Sequence, residues 1–345
     1  MIVHVICPGF LGPIENRAGG LPPTPALDRL LSRARSEQTA PRDPLATLGG
    51  AFGLVAPTGA DLPSAPLCLL ALGHPPEPGV CWFHADPVHL RPDRDRLLLF
   101  AGPSLGVRAD EAESLTESFN AHFAGDGLRL SAAEPSGWYL RVPQVPEICT
   151  WPLHRVVGHP IDAHLPRGPD AKAWARWQNE AQMLLFSHPV NEARQRLGRP
   201  VISGVWTWGG GVLPEPTQGP DLTVADHPLA QGLADASGCR CLGLEGRRPS
   251  QGVPGGSVLV FWDRLWWPML EGDAPAWNRA LAALEILMAD LLQSLRSGGI
   301  QSLIMDDGEE RRFSLTRGDL RHLWRRRGTL RDWISRRGSG PNPPD

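Results

Sequence analysis

The sequence predicts an α/β fold, a layered sheet core that carries a small inserted α+β subdomain. Three observations predict it. Short apolar runs at 2–7, 257–263 and 300–308 alternate with amphipathic helical segments, the pattern of a sheet covered by helices. A β-β-α-β-β run over about 80–143 interrupts that alternation. The chain has 345 residues, 41% hydrophobic and 21% charged, enough apolar material for one large domain with an insertion. The expected division is an α/β core of 1–79 and 144–317, an insertion of 80–143 and a basic tail of 318–345.

Residues 2–7 read as a buried strand that ends at Pro8-Gly9. "LPPTPALDRLLSRAR" reads as a loop and a helix, with Thr24 as N-cap, Pro25 in the first turn and Leu27, Leu30 and Leu31 on one face. "PLCLLAL" (66–72) fits a short strand or part of a helix. "VCWFHADPVHL" predicts a strand ended by Pro87, and "RDRLLLFAG" a second. The next segment is a helix with Ala112, Leu115, Phe119 and Phe123 at helical spacing. "LRLSAAEPSGWYLRVP" gives two strands about a Pro-Ser-Gly turn. A strong helix over 169–188 puts Trp174, Trp177, Ala181, Leu184 and Leu185 together, and a short helix ended by Gly198 follows it. "PVISGVWTWGGG" predicts a strand running into a triple-glycine turn. The strand at 257–263 ends on Asp263. The helix after it is capped by Asp273 and stopped by Gly298. A last strand ends on Asp306-Asp307. No element is predicted between 212 and 256.

No run approaches the eighteen apolar residues of a membrane span, and the start lacks a basic n-region, so a cytoplasmic chain is expected. Six irregularly spaced cysteines suit reduced thiols, and Cys239-Arg-Cys241 is too small a pair to define a zinc site. From Arg311 to Arg337 ten Arg stand against Asp319 and Asp332, a local balance of +8 in a chain of net charge −3. Trp324, Arg325, Arg326, Arg327 and Trp333 interleave aromatic and cationic groups in that tail. They suit contact with another protein, or with single-stranded nucleic acid. A tail folded back on its own acidic body has the same composition. "WDRLWWP" (262–268) is either a second contact cluster or core.

"HPVNEARQRLGRPVISGVWTWGGG" (188–211), with "DEAESLTESFNAHF" and "HLPRGPDAKAWARWQNEAQMLL", resembles the archaeal-type cofactor-independent phosphoglycerate mutases of the alkaline phosphatase superfamily. "ADPVHLRPDRDRLLL", "WYLR", "TWGGGVLP" and the late Trp-Arg-Arg are similar to a degenerate proteobacterial branch, variously labelled phosphoglycerate mutase-like or Rpf-type regulatory proteins. The resemblance runs over most of residues 1–333. It implies an alkaline-phosphatase-like sheet core, two divalent metals held by Asp and His at strand ends, and a Ser or Thr that takes the phosphoryl group. Paired cations neutralise the charge of the transferring group and order the nucleophile.

This sequence departs from that pattern. The first strand ends in Pro8-Gly9, not Asp-Gly. Asp306-Asp307 stands where Asp-His is expected, and Asp263 has no His after it. Trp208 replaces an Arg, which removes a bidentate phosphate clamp. Thr58, Ser64 and Ser104 sit in predicted turns without a nucleophile's surroundings. Three features are left. His84 and Asp86 share a strand face, with His89 beyond Pro87; with Asp306 they are candidates for one divalent ion, Mn, Zn or Mg. Trp208, Gly209 and Gly210 offer an aromatic wall and backbone N–H groups for a small anion. His188, Asn191 and Arg194 at a helix junction are ligand candidates, His188 serving equally well as a helix cap. Three functions follow: a catalytically degenerate mutase homologue that binds or regulates, an active phosphotransferase with a rearranged site, or a nucleic-acid-associated regulator acting through the tail.

Overall fold

The computed structural model describes residues 1–12, 20–56, 61–245, 255–321 and 328–338. The strand β1 (Ile2–Ile6) buries Val3 and Val5. The helix α1 (Pro25–Arg33) buries Leu27, Leu30 and Leu31. Thr24 stands at its N-cap without a side-chain cap bond; the Glu285 carboxylate accepts from the Ala26 and Leu27 N–H groups instead, and Pro25 suits the first turn. β2 (Arg35–Gln38) follows. Asp43 caps α2 (Pro44–Ala51) by accepting from the Leu45 and Ala46 N–H groups. "PLCLLAL" falls in a helix, α3 (Ser64–Ala71). Then come β3 (Cys81–Asp93), β4 (Arg96–Phe100), α4 (Ala109–His122), β5 (Arg129–Glu134) and β6 (Gly137–Val142). α5 (Ala171–Phe186), α6 (Pro189–Arg196) and β7 (Gly204–Gly211) complete the middle of the chain. The stretch without predicted elements holds β8 (Leu222–Ala225), α7 (Pro228–Ser237) and β9 (Arg240–Leu242). After β10 (Ser257–Phe261) and α8 (Trp266–Glu271), Asp273 caps α9 (Ala274–Ser297) through the Ala276 N–H and Gly298 ends it at φ +91°. β11 (Ser302–Asp306), β12 (Arg311–Thr316) and α10 (Leu330–Gly338) close the described chain. None of the described helices is long and apolar enough to cross a membrane.

The chain divides into two compact units, 1–53 with 216–345 and 54–215. The first is the α/β core. Its sheet runs β2-β12-β11-β1-β10-β8-β9, with β11, β1, β10, β8 and β9 parallel and β12 and β2 added antiparallel. Leu281, Leu284, Met288 and Leu291 of α9 and Leu27 and Leu30 of α1 join Val3, Val5, Val258 and Val260 in one apolar cluster. The "WDRLWWP" segment is core, since Trp262 and Trp266 are buried.

Part of the basic tail is also core, which corrects the expectation of an exposed partner contact at Trp333. That indole is buried, edge-on to Phe313 at 5.0 Å, with Leu330 and Ile334 beside it. Arg311 and Arg336 lie over its ring. The aromatic–arginine pattern here serves packing and cation–π contact within one unit. Trp324, Arg325, Arg326 and Arg327 fall outside the described residues.

The second unit is an antiparallel sheet, β4-β3-β6-β5, with β7 on the other side of β3. Pairing of β3 with β7 draws 144–215 into one compact unit with the 80–143 segment, so the unit is wider than the expected insertion. β3 also runs through Pro87 instead of stopping there. Pro87 lies between the residues paired with β6 (81–84) and those paired with β4 (89–93), so on that side no ladder bond needs its missing N–H. One face of this sheet carries Phe83, Ala85, Leu130, Trp138, Leu140 and Val205, packed against α4 and α5.

Arg194 holds that layer together. It is completely buried, with Nη1 2.7 Å from Glu111 Oε2, Nε donating to the Pro200 carbonyl at 2.6 Å and Nη2 to the Leu105 carbonyl. Asn191 beside it donates to the Leu185 and Ile202 carbonyls and accepts from the Ile202 N–H. Breaking a buried ion pair from one side strands the other charge, so Arg194→Met is expected to cost about 3–5 kcal/mol. Glu111→Gln combined with it should cost less than the sum of the two single changes. Denaturant midpoints of the four proteins test this; an Arg194→Met protein as stable as the parent would overturn it.

Candidate functional site

In open α/β sheets ligands bind outside the carboxyl ends of the parallel strands. In the first unit those ends are Cys7-Pro8-Gly9 after β1, Asp226 after β8, Asp263 after β10 and Asp306-Asp307 at the end of β11. Gly9 has φ +81°, and a Cβ there would stand 3.0 Å from the Leu265 carbonyl oxygen, so glycine is required for backbone reasons.

Three of these carboxylates, Asp226, Asp306 and Asp307, are already engaged. Asp306, fully buried, accepts from Arg42 Nη2 at 3.0 Å, Arg312 Nε at 2.9 Å and the Gly308 N–H at 2.8 Å. His4 Nε2 stands 3.6 Å from its Oδ2. Burial alone would raise the carboxyl's pKa. His4, the Gly308 N–H, Arg312 and Arg42 outweigh burial and hold it well below the usual carboxylate range. Asp307 Oδ1 accepts from the N–H groups of Glu309, Glu310 and Arg311. Asp226 accepts from Arg264 Nη2 at 2.8 Å and the Leu244 N–H at 2.9 Å.

A pair of divalent cations needs bridging carboxylates with open oxygens. Asp226, Asp306 and Asp307 do not fit that need, because guanidinium and backbone N–H groups hold their oxygens, and Asp263 by itself makes no bridged pair. Among the described residues no group of three or more His, Cys, Asp or Glu is arranged to hold a metal. Of the single-ion candidates, Asp306 belongs to the first unit and is held by arginines, while His84, Asp86 and His89 belong to the second. His89 is turned to the Val201 carbonyl, with Nδ1 3.0 Å away.

The second unit holds a polar layer on the sheet face opposite its apolar core. Register pairs His84 with Trp208 and with Tyr139. His84 stacks on Trp208 at 4.1 Å and 15°, and its Nε2 lies 3.1 Å from Ser64 Oγ at the start of α3. Trp208 Nε1 donates to Asp86 Oδ2 at 2.6 Å. Ser64 has no exposed surface, so this Ser–His pair packs α3 onto the sheet and offers no nucleophile to a substrate. Burial and the Asp86 charge push the Cys68 thiol far up, which keeps it protonated and unreactive.

The glycines after Trp208 lie within β7, not in a turn beyond it. Gly210 is needed because a Cβ would fall 2.0 Å from the Phe83 ring. Gly209 has φ +59°, and its N–H donates to Asp61 Oδ2 at 3.0 Å, an oxygen that also accepts from Thr150 Oγ1 at 2.7 Å. The anion held by this turn is therefore the chain's own carboxylate. The helix-junction candidates are used internally as well. His188 caps α6 by accepting from the Val190 N–H, and its Nε2 meets Ser118 Oγ at 2.9 Å. Asn191 and Arg194 are consumed as described above. Thr58 falls outside the described residues. The sequence signal for the polar layer was the spacing of His84 and Asp86; Ser64, Asp61 and Tyr139 carry no local mark of joining them.

No family model matches the chain. Over 146 residues, 41% of the chain, it is 32% identical to the 2,3-bisphosphoglycerate-independent phosphoglycerate mutase of Methanothrix thermoacetophila, of which the match covers 37%. A 67-residue stretch, 19% of the chain, is 36% identical to 17% of the same enzyme from Methanosarcina mazei. The match thus spans well under half the length of these curated relatives. The solved structure of the PH0037 protein from Pyrococcus horikoshii aligns with a TM-score of 0.52 at 15% identity, covering 91% of this chain and 87% of that one; this is a likeness of fold.

The polar layer predicts a pH dependence. Burial pushes the Asp86 carboxyl up to about 7 against the Trp208 indole and Trp138 backbone N–H groups that favour its charge. The folded state binds this proton more tightly than the unfolded chain, so the stabilisation is complete in acid and is lost as pH rises to about 7. Asp86→Asn keeps an acceptor for Trp208 but cannot ionise. It should flatten the fall in stability between pH 5 and pH 8, gaining roughly 2–4 kcal/mol on the parent across that window. Melting curves against pH check this, and parallel slopes for the two proteins would refute it.

Proposed function

We propose that this chain is a catalytically degenerate phosphoglycerate-mutase-like protein that acts as a binding or regulatory module. The observation that carries this reading is the clamp on Asp306. Arg42 and Arg312 stand where a phosphoryl-transfer site of this kind needs divalent cations, and Pro8-Gly9 supplies no bridging carboxylate beside them. The local similarity to phosphoglycerate mutases supports descent from that chemistry. Trp208, stacked on His84 and bonded to Asp86, supports the loss of a phosphate clamp at the glycine strand. The degenerate proteobacterial branch with its regulatory labels is the form of the family this reading favours.

A two-metal transferase would gain from its ions in both stability and rate. Here millimolar Mn²⁺, Mg²⁺ or Zn²⁺ should leave the melting temperature unchanged, and 2- and 3-phosphoglycerate should interconvert no faster than in buffer. Calorimetry with each metal and a coupled turnover assay on the full chain measure these. Metal-dependent turnover that falls when Asp306→Asn is introduced would overturn the reading in favour of an active phosphotransferase.

A further inference from the structure

The register of the second unit's sheet lines up three side chains in one row on the face that α3 partly covers. Trp82 stands opposite Arg141, and Arg141 opposite Arg129. Like charges placed directly across two strands repel, so the pair calls for a counter-charge. Glu77 supplies only part of it: its Oε2 is 3.7 Å from Arg141 Nη2. Arg129 has no ion-pair partner among the described residues. The Trp82 indole Nε1 is buried without a hydrogen-bond partner among them. These groups, with Ser131 and His74, line a cavity of about 650 Å³ that Leu69 closes on the α3 side. The volume lies in the range of small-molecule sites.

We propose that this cavity binds a small phosphate monoester. Two guanidinium forks and a hydroxyl, set on two adjacent strands, are more donors than the two oxygens of a carboxylate can serve; a phosphate monoester presents three terminal oxygens. Arg129 and Arg141 against Glu77 leave an excess of one positive charge. The Trp82 ring and Leu69 give the carbon portion of the ester an apolar seat. The site differs from the glycine strand, whose N–H already serves Asp61, and it does not depend on the reading of the strand ends.

Titration calorimetry of the full chain at low ionic strength, with inorganic phosphate, AMP and 3-phosphoglycerate as probes, tests it. At least one ester should bind more tightly than inorganic phosphate, and inorganic phosphate should displace it. Arg129 is exposed and faces a like charge, so Arg129→Gln should not lower the melting temperature while weakening the ester by about tenfold or more. Arg141→Gln should do the same, which guards against a folding defect in either variant. No binding of either ester at millimolar concentration, inorganic phosphate binding as tightly as both, or an affinity indifferent to both arginine changes would each overturn the proposal. Metal-dependent turnover would refute the degenerate reading and leave this site standing; a silent titration would do the reverse.

Discussion

A carboxylate buried at the end of a parallel strand must be neutralised, and in this protein guanidinium groups do it. Asp306 ends β11 in the middle of the sheet with no contact to water, where an unpaired charge is prohibitive. Arg312, on the paired antiparallel strand β12, and Arg42, on the approach to α2, close on it from two elements. β12, α2 and the 307–311 turn are thereby tied to the strand end, and Asp307 collects the turn's three N–H groups next door. Held by guanidinium groups, this strand end is a joint between elements. The guanidinium cannot exchange, cannot acidify a water molecule and is tethered to the chain.

The second unit applies the same economy of charge. Asp61 fills the N–H of the glycine strand, Glu111 pairs with Arg194 in the apolar layer, and Asp86 is satisfied by an indole. Each group that looks in sequence like part of a phosphate site is held by a partner distant in the chain. Asp61 and Gly209 are separated by 148 positions, and Glu111 and Arg194 by 83. Such pairings are set by tertiary structure alone, so a local motif of this kind does not by itself identify a working site.

That contrast marks what could be read from the sequence. Periodicity placed Leu27, Leu30 and Leu31, the Ala112–Leu115–Phe119 face and the Asp273–Gly298 limits of α9 correctly, because burial and capping act over one or two turns. Punctuation misled where a partner strand overrode it. Pro87 breaks no ladder bond at its place in β3, and the glycines of β7 continue a strand in which Ser64, Phe83 and Pro63 leave no room for side chains at Gly209, Gly210 and Gly211. The four-residue β8 and three-residue β9 are too short to show a period. Of the site, the shared face of His84 and Asp86 followed from strand alternation, whereas Arg194 and Trp333 read as exposed functional groups and proved to be internal. Composition records that a side chain is polar or aromatic; it does not record which atoms its donors reach.

The row of Trp82, Arg141 and Arg129 stands apart for the same physical reason. Elsewhere the chain brings an acid to several of its guanidinium groups: Glu111 to Arg194, Asp306 to Arg42 and Arg312, Asp226 to Arg264. Here two arginines face each other across β5 and β6 with one distant glutamate, and a buried indole donor beside them has no acceptor. A sheet face gains nothing for its own stability from that arrangement, since repulsion across the strands and an unsatisfied donor both oppose folding. An anion arriving from solution removes the repulsion between the arginines. The free energy withheld from folding at this face is thus available to binding, which is the condition for a site that recognises charge.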